Sequence, residues 1–396
     1  MRVDIGDRLL RWCLTEAIEL QSMDELVWSF VRACHEYGVP LRRFNLTIRA
    51  LHPLFVAENW IWRHDRDQLE TNRFSAAQRS TAGFLQSPIR PIIDGSARRV
   101  RYSISSEGPQ EFPMFVEYAA QGMTEYVAAA ISSERDLPIA LSLMTDQPGG
   151  FTEPQLDALE DAFLGLRAPV ELYVQRSVAA SVCATYIGQH TGPRVLRGDI
   201  HRGSVESLRA VVWFCDLRNF TPMTIQLGSQ AIVALLNRFF GAVGEAIDHN
   251  EGEILKFIGD AALAIFPLRE GDDPREVCAR ALRAAERTLL NLATLNAARR
   301  DLTEPSLHAG ISLHVGEVSY GNIGAPTRLD FTVIGAAVNL SARLNALAPV
   351  LQQPLIASQA FNDLCGQPLQ HLGEHQLKGI AAPQVVYGLP DPVRAG

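Results

Sequence analysis

Two short acidic turns carry the chemistry that this sequence offers. Asp216 closes the apolar run Ala210-Val211-Val212-Trp213-Phe214-Cys215, and Asp260 ends Lys256-Phe257-Ile258-Gly259-Asp260. Both follow segments that read as strands, and neighbouring strand ends in one sheet can bring two carboxylates to one place. Two carboxylates close together repel, and a divalent cation relieves that repulsion. Two such ions, roughly 3.5–4 Å apart, can serve the attacking and the leaving oxygen of an in-line displacement at phosphorus. Taken singly, each aspartate reads as a turn residue rather than a ligand. Other common chemistries are excluded. No Gly-Lys pair exists, so there is no P-loop, and there is no His-Glu-x-x-His zinc helix. Gly310-Ile311-Ser312 begins like a nucleophile elbow but has His314 where glycine is required.

The surroundings of the two aspartates decide between ligand and turn. Phe214 to Thr221 resembles the F-x-D-x-x-x-F-T signature of class III adenylyl and guanylyl cyclases. Gly252 to Phe266 resembles the K-x-x-G-D hairpin of that family. Val333 to Arg343 is similar to its I-G-x-x-V-N-x-x-x-R motif, and Leu377-Lys378-Gly379 to its late lysine-bearing strand. The four motifs keep the family's order over roughly Ser204 to Leu389.

The resemblance implies roles. Asp216 and Asp260 would hold two Mg²⁺ or Mn²⁺ ions. Backbone N–H groups around Phe220 and Thr221 would cradle phosphate oxygens at a helix start. Asn339 and Arg343, four apart on one helix face, would orient the ribose and meet charge at the α-phosphate. Lys378 would bind the β- or γ-phosphate, and Lys256 would read the base. These are the only two lysines of an arginine-dominated chain, and a slim ammonium is not replaceable by a planar guanidinium at a tight site. Thr332, seven before Asn339, stands at the family's other base-setting position. Lysine with threonine there implies ATP as substrate and cyclic AMP with pyrophosphate as products. Lys256 can donate to adenine N1, whereas guanine N1 carries a hydrogen. Threonine is also a mark of the class IIIb branch, whose members often respond to bicarbonate. One departure is Asn219, where the family has glycine before Phe-Thr; asparagine tolerates positive φ. Because the family draws metal carboxylates from one chain and base-reading and transition-state residues from another, and this chain carries both sets, a homodimer with shared sites is implied. The rival readings are a guanylyl cyclase and a catalytically inactive cyclase-like signalling scaffold.

The elements that must position these residues are legible from periodicity. The apolar run 210–215 is a strand buried on both faces. A helix follows over 229–249, then a hairpin of strands 253–258 and 261–266 turning at Gly259-Asp260. A helix over 275–300 and strands over 307–314 and 318–323 complete a ferredoxin-like order. The expected architecture is α+β. A cyclase catalytic domain over 204–396 follows an α+β sensor domain over 1–150 and a connecting helix and linker over 151–203. In the first part, helices over 8–20, 23–37 and 112–121 alternate with strands over 44–51, 54–62, 100–104, 126–131 and 139–144. That order, closed by Gly150-Phe151-Thr152-Glu153-Pro154-Gln155-Leu156, is reminiscent of GAF-type sensor domains. Trp60 and Trp62 share a strand face, which serves core packing or a ligand pocket, core packing being the commoner use. The helix from Thr152 to about Tyr186 reads equally as a dimer seam and as a linker packed on its own domain.

Composition sets the outer bounds. With 396 residues, two folded units are expected. A formal net charge of -8 repels phosphate backbones, so general nucleic-acid binding is excluded. The six cysteines have neither metal-ligand nor redox spacing and suit a reducing compartment. No signal peptide and no apolar run of about 20 residues is apparent, so a cytoplasmic protein without a membrane span is expected.

Overall fold

The computed structural model describes residues 5–390 apart from 53, 67, 106–109, 132–138 and 299–303. It divides into two units, Met1–Thr185 and Tyr186–Gly396.

The N-terminal unit opens with α1 (Ile5–Thr15) and α2 (Met23–Glu36). Ser22 caps α2, its hydroxyl accepting from the Glu25 N–H. Six strands follow, β1 (Arg43–Arg49), β2 (Ala57–Arg63), β3 (Gln68–Phe74), β4 (Arg99–Ser103), β5 (Glu125–Ala130) and β6 (Ala140–Thr145), with short helices α3 (Ala82–Leu85), α4 (Arg90–Ile93) and α5 (Pro113–Ala120) among them. The sheet is antiparallel in the order β3-β2-β1-β6-β5-β4. Period-two alternation sends Phe44, Leu46, Trp60 and Trp62 to one face, where they pack with Leu9 and Phe30. The two tryptophans are therefore core, and Trp60 Nε1 donates to Asp24 at 2.7 Å. Helix α6 (Glu153–Ile187) joins that core through Leu159, Phe163, Leu166, Val170 and Val174. Beyond 174 its residues are half-buried or exposed, so most of its length packs on its own unit.

The C-terminal unit begins at α7 (Thr191–Leu196). The run β7 (Val205–Leu217), α8 (Phe220–His249), β8 (Glu253–Ile258), β9 (Ala261–Leu268), α9 (Pro274–Ala298) and β10 (Ala309–Ala325) has the ferredoxin-like order. Further elements are β11 (Arg328–Ile334), α10 (Ala336–Asn345), β12 (Leu355–Ser358), α11 (Gln359–Cys365), β13 (Gln370–His375) and β14 (Gln384–Gly388). The sheet runs β13-β14-β12-β10-β7-β9-β8, with β11 paired to β10. A central place explains the unbroken apolar run of β7. Val211, Trp213 and Cys215 pack with Phe239 of α8 and Ala281 of α9, while Ala210 and Val212 pack with Val333 of β11 and Ala337 of α10.

Two elements of this unit depart from expectation. The two strands expected over 307–314 and 318–323 are one, β10, because Gly316 does not break the ladder; a Cβ there would meet that of Ala337, so the glycine admits α10 instead. The helix expected from Ser229 begins at Phe220. Gly228 (φ 65°, ψ 168°) divides it into a short first piece and a long second one. The expected end of the next helix, at 300, lies outside the described residues. Helix α8 is also the one helix among the described residues long and apolar enough by composition to span a bilayer, although Leu235, Phe239, Val243 and Ile247 lie in the core.

Candidate active site

The two aspartates meet at the end of the sheet. Asp216 is the penultimate residue of β7, in register with Ala261 of β9 and Gly310 of β10. Asp260 follows Gly259, whose φ of 64° makes the two-residue turn from β8 into β9. The Leu217 N–H donates to the Asp260 carbonyl at 3.1 Å, which ties the strand end to the hairpin tip. Alternation along β7 sends Asp216 to the face that carries Val212 and α10 rather than the α8–α9 face.

Burial pushes the Asp216 carboxyl above the usual carboxylate range. Arg218 pulls it down and the neighbouring Asp260 pushes it up again. Arg218 Nη1 donates to Asp216 Oδ2 at 3.2 Å and lies 3.0 Å from Oδ1. The second approach is charge against charge. A carboxyl raised by burial beside a second carboxylate is the arrangement that a hard divalent cation relieves. The residues therefore fit such an ion. Among the described residues no group of three or more His, Cys, Asp or Glu side chains could hold a metal, so any ion here would draw its other ligands from backbone, water or substrate.

Arg218 and Asn345 were not singled out in the sequence. Arg218 Nη2 donates to Asn345 Oδ1 at 3.1 Å and to its carbonyl at 3.2 Å. Asn345 Nδ2 donates to the carbonyls of Gly310 (2.7 Å) and Phe214 (3.3 Å). Asn345 thus plugs the end of α10 into β7 and β10 and holds the guanidinium beside Asp216. A Cβ on Gly310 would collide with that guanidinium. The signal in the sequence was an arginine two residues after the strand-end aspartate, on the same strand face.

The phosphate-side residues lie where a helix begins. Asn219 adopts φ 59° and ψ 26° as the N-cap of α8, so asparagine meets the left-handed turn that the family gives to glycine. Phe220 and Thr221 are the first two residues of α8, half-buried and exposed respectively. Their N–H groups have no partner four residues back within the helix.

Lys256 on β8 reaches Asp330 of β11 at 3.6 Å. Asp330 shares its strand face with Thr332, two residues on. Thr332 is 3% exposed, and its Oγ1 is a buried hydroxyl oxygen without a partner. Lys256 and Asp330 line a cleft of about 320 Å³ with Leu255, Phe257 and Phe331. Asp330 is a third residue not singled out in the sequence. Asn339 and Arg343 are exposed on α10, and neither side chain has an ion pair or hydrogen bond among the described residues. The chain does not bring them into hydrogen-bonding contact with its own Asp216 or Asp260. Lys378 lies in the turn between β13 and β14, where Ile380 N–H donates to Leu377 O and Gly379 has φ 79°. It is exposed and belongs to no strand; the expected lysine-bearing strand ends at His375, because the left-handed glycine turns the chain back.

Residues 205–388 match the family described as the adenylate and guanylate cyclase catalytic domain, and this segment is a class III cyclase catalytic domain. An adenylate cyclase of Anabaena cylindrica is 36% identical over 153 residues, which is 38% of this chain and 29% of that protein. An uncharacterized protein of Mycobacterium tuberculosis is 34% identical over 196 residues, 49% of this chain and 34% of that protein. The chain thus spans about a third of the length of these curated relatives. Among solved structures, the adenylyl cyclase CyaB from P. aeruginosa is 25% identical with a TM-score of 0.44, covering 48% of this chain and 96% of that one. The guanylyl cyclase Cya2 is 28% identical with a TM-score of 0.42 and the same coverage.

Proposed function

We propose that the C-terminal unit converts ATP to 3′,5′-cyclic AMP and pyrophosphate, in a homodimer whose two sites are each built from both chains. The observation that carries this reading is the Asp216–Asp260 pair at the end of the sheet, where burial and the neighbouring carboxylate raise the Asp216 carboxyl. Two Mg²⁺ or Mn²⁺ ions held by these carboxylates would supply charge that acidifies the ribose 3′-hydroxyl and neutralises the triphosphate. In the reaction the 3′-oxygen bonds to the α-phosphorus, and the bond from that phosphorus to pyrophosphate breaks.

The chain's own residues hold the substrate in line. The N–H groups of Phe220 and Thr221 at the start of α8 receive phosphate oxygens. Lys378, on an exposed turn, offers a point charge to the β- or γ-phosphate. Asn339 orients the ribose, and Arg343 meets charge that grows at the α-phosphate, where a preplaced cation acts most on the transition state. Both are exposed and unpartnered among the described residues, which supports their serving a partner's carboxylates. Phe257 and Ile258 at the end of β8 and Ile334 at the end of β11 are each about half exposed and supply apolar surface for such a partner. Lys256 donates to adenine N1, and the unpartnered Thr332 hydroxyl supports a role at the base. Guanine would leave one of these bonds unmade, a loss of about 1–3 kcal/mol.

The N-terminal unit is read as a regulatory sensor domain. Its antiparallel sheet, with α1, α2 and α6 on one face and α4 and α5 on the other, supports the α+β, GAF-like reading. The free cysteines, five of them buried, support a cytoplasmic place of action.

The test is to incubate purified protein with Mn²⁺ and either ATP or GTP and to identify the cyclic product. Cyclic AMP, with at least about tenfold preference for ATP, is expected. Cyclic GMP as the main product would make it a guanylyl cyclase. No product from either nucleotide under several metals would leave an inactive scaffold.

A further inference from the structure

Just past Asp216 the chain lines a cavity that the proposed reaction leaves unused. Four segments of the C-terminal unit enclose about 490 Å³: the last turns of α9, the start of β10, Arg218 and Asn219 after β7, and the stretch 348–354 between α10 and β12. Short polar ties fix these segments to one another. The Arg218 N–H donates to the His308 carbonyl and the Ile311 N–H to that of Pro354, both at 2.8 Å. Asn296 of α9 bonds the backbone of Leu307 twice, donating from Nδ2 to its carbonyl and accepting its N–H at Oδ1, each at 2.8 Å. Gln352, which also lines the cavity, has φ 51°. Glutamine seldom enters that left-handed region, and such conformations gather at ligand sites. The volume lies within the range of small-molecule sites. The cavity shares no described lining residue with the cleft of Lys256 and Asp330.

Its lining divides by polarity. Leu289, Leu292, Leu307 and Pro349 form an apolar side, Leu292 and Leu307 being part of the core. Asn219, Asn296, Gln352 and Gln353 bring side-chain amides, and Arg218 and His308 are the basic residues. No acidic side chain is among the described lining residues. Arg218 gives its terminal nitrogens to Asp216 and Asn345, which leaves its Nε without an acceptor among the described residues. A guanidinium is a planar donor that suits the planar, two-oxygen geometry of a carboxylate. Asp216 beside the same guanidinium repels each further negative charge. One charge is therefore favoured over the nearly two of a phosphate monoester. The apolar side, for its part, suits a hydrocarbon body.

We propose that this cavity binds a small monocarboxylate with an apolar body, such as an aromatic acid. The carboxylate accepts from Arg218 and from the amides around it, and the body lies against Leu289, Leu292 and Leu307. The claim is independent of the cyclase reading, since it is measured as binding.

The experiment uses the full chain, equilibrium dialysis and two probes of one shape. 2-Naphthoate carries the carboxylate, and 2-naphthamide has a neutral amide in its place. The naphthoate is expected to saturate at one per chain and the naphthamide to bind at least about tenfold more weakly, as the loss of a charge-assisted hydrogen bond requires. Arg218→Gln should weaken the naphthoate about ten- to hundredfold and bring it level with the naphthamide. Ala293→Phe sets a ring into the cavity from α9, away from every proposed substrate contact. It should abolish naphthoate binding with the circular dichroism spectrum unchanged, which assigns the bound probe to this cavity, and it stands in if Arg218→Gln does not fold. Absence of saturable naphthoate binding, equal affinity for the naphthamide, or undiminished binding by the folded variants would overturn the proposal.

Discussion

A buried carboxylate beside another carboxylate is unfavourable in the metal-free protein. Because the folded state raises the Asp216 carboxyl above its ordinary value, the native protein holds that proton more tightly than the unfolded chain does. The charged form therefore lowers stability above the raised value, and the penalty fades as pH falls through it. Asp216→Asn removes the penalty together with the ligand. The metal-free variant should melt no lower than the parent, Mn²⁺ should no longer raise its melting temperature, and turnover should fall at least about a thousandfold. A variant that kept most of its turnover would remove the carboxylate pair from the chemistry. At the base, Lys256→Glu exchanges a donor for an acceptor. The ratio of ATP to GTP turnover should fall by about ten- to hundredfold; an unchanged ratio would mean that the cleft between β8 and β11 does not read the base.

Elements show why some of the site was legible and some was not. The hairpin of β8 and β9 was readable because Gly259-Asp260 interrupts two apolar runs at the spacing of a two-residue turn, and β7 because a central strand needs apolar residues on both faces. Strand β3 was missed: as an edge strand with mostly exposed residues it lacks the apolar signal that periodicity detects. Asn345 was missed for another reason. On a helix end an asparagine looks solvated, and only tertiary structure puts its amide against Gly310 and Phe214. Through it α10 holds Arg218 beside Asp216. Gly310→Ala tests that linkage without touching any proposed substrate contact. The added methyl displaces the guanidinium, so the pull that lowers the Asp216 carboxyl is lost and its value rises further. The acid limb of the pH–rate profile should move to higher pH, and more Mn²⁺ should be needed for half-maximal rate. A profile that stays in place would make Arg218 a packing residue only.

At the scale of the whole molecule, stability and activity report on different assemblies of groups. His314 lies in the sheet, 9% exposed, with Nδ1 2.9 Å from Ser358 Oγ, and burial depresses its value to about 4. Between about 4 and 6.5 the unfolded chain binds the proton and the native state does not, so stability falls as pH drops through that window, by roughly 3 kcal/mol. His314→Gln should lose less stability than the parent between pH 7 and 4.5 in denaturant titrations; equal losses would assign the acid sensitivity elsewhere. The dimer is tested by activity. If Asp216 serves one site and Arg343 completes the partner's, a heterodimer of Asp216→Ala and Arg343→Ala chains has both defects in one site and neither in the other. Random exchange in an equal mixture makes half the dimers mixed, each with one intact site of two, so about a quarter of parent activity should return. Each variant alone stays inactive whatever its concentration. Recovery that is absent after exchange has been verified, for instance by co-purification of differently tagged chains, would mean that each chain completes its own site, and α10 would then have to approach the carboxylates by a movement within one unit.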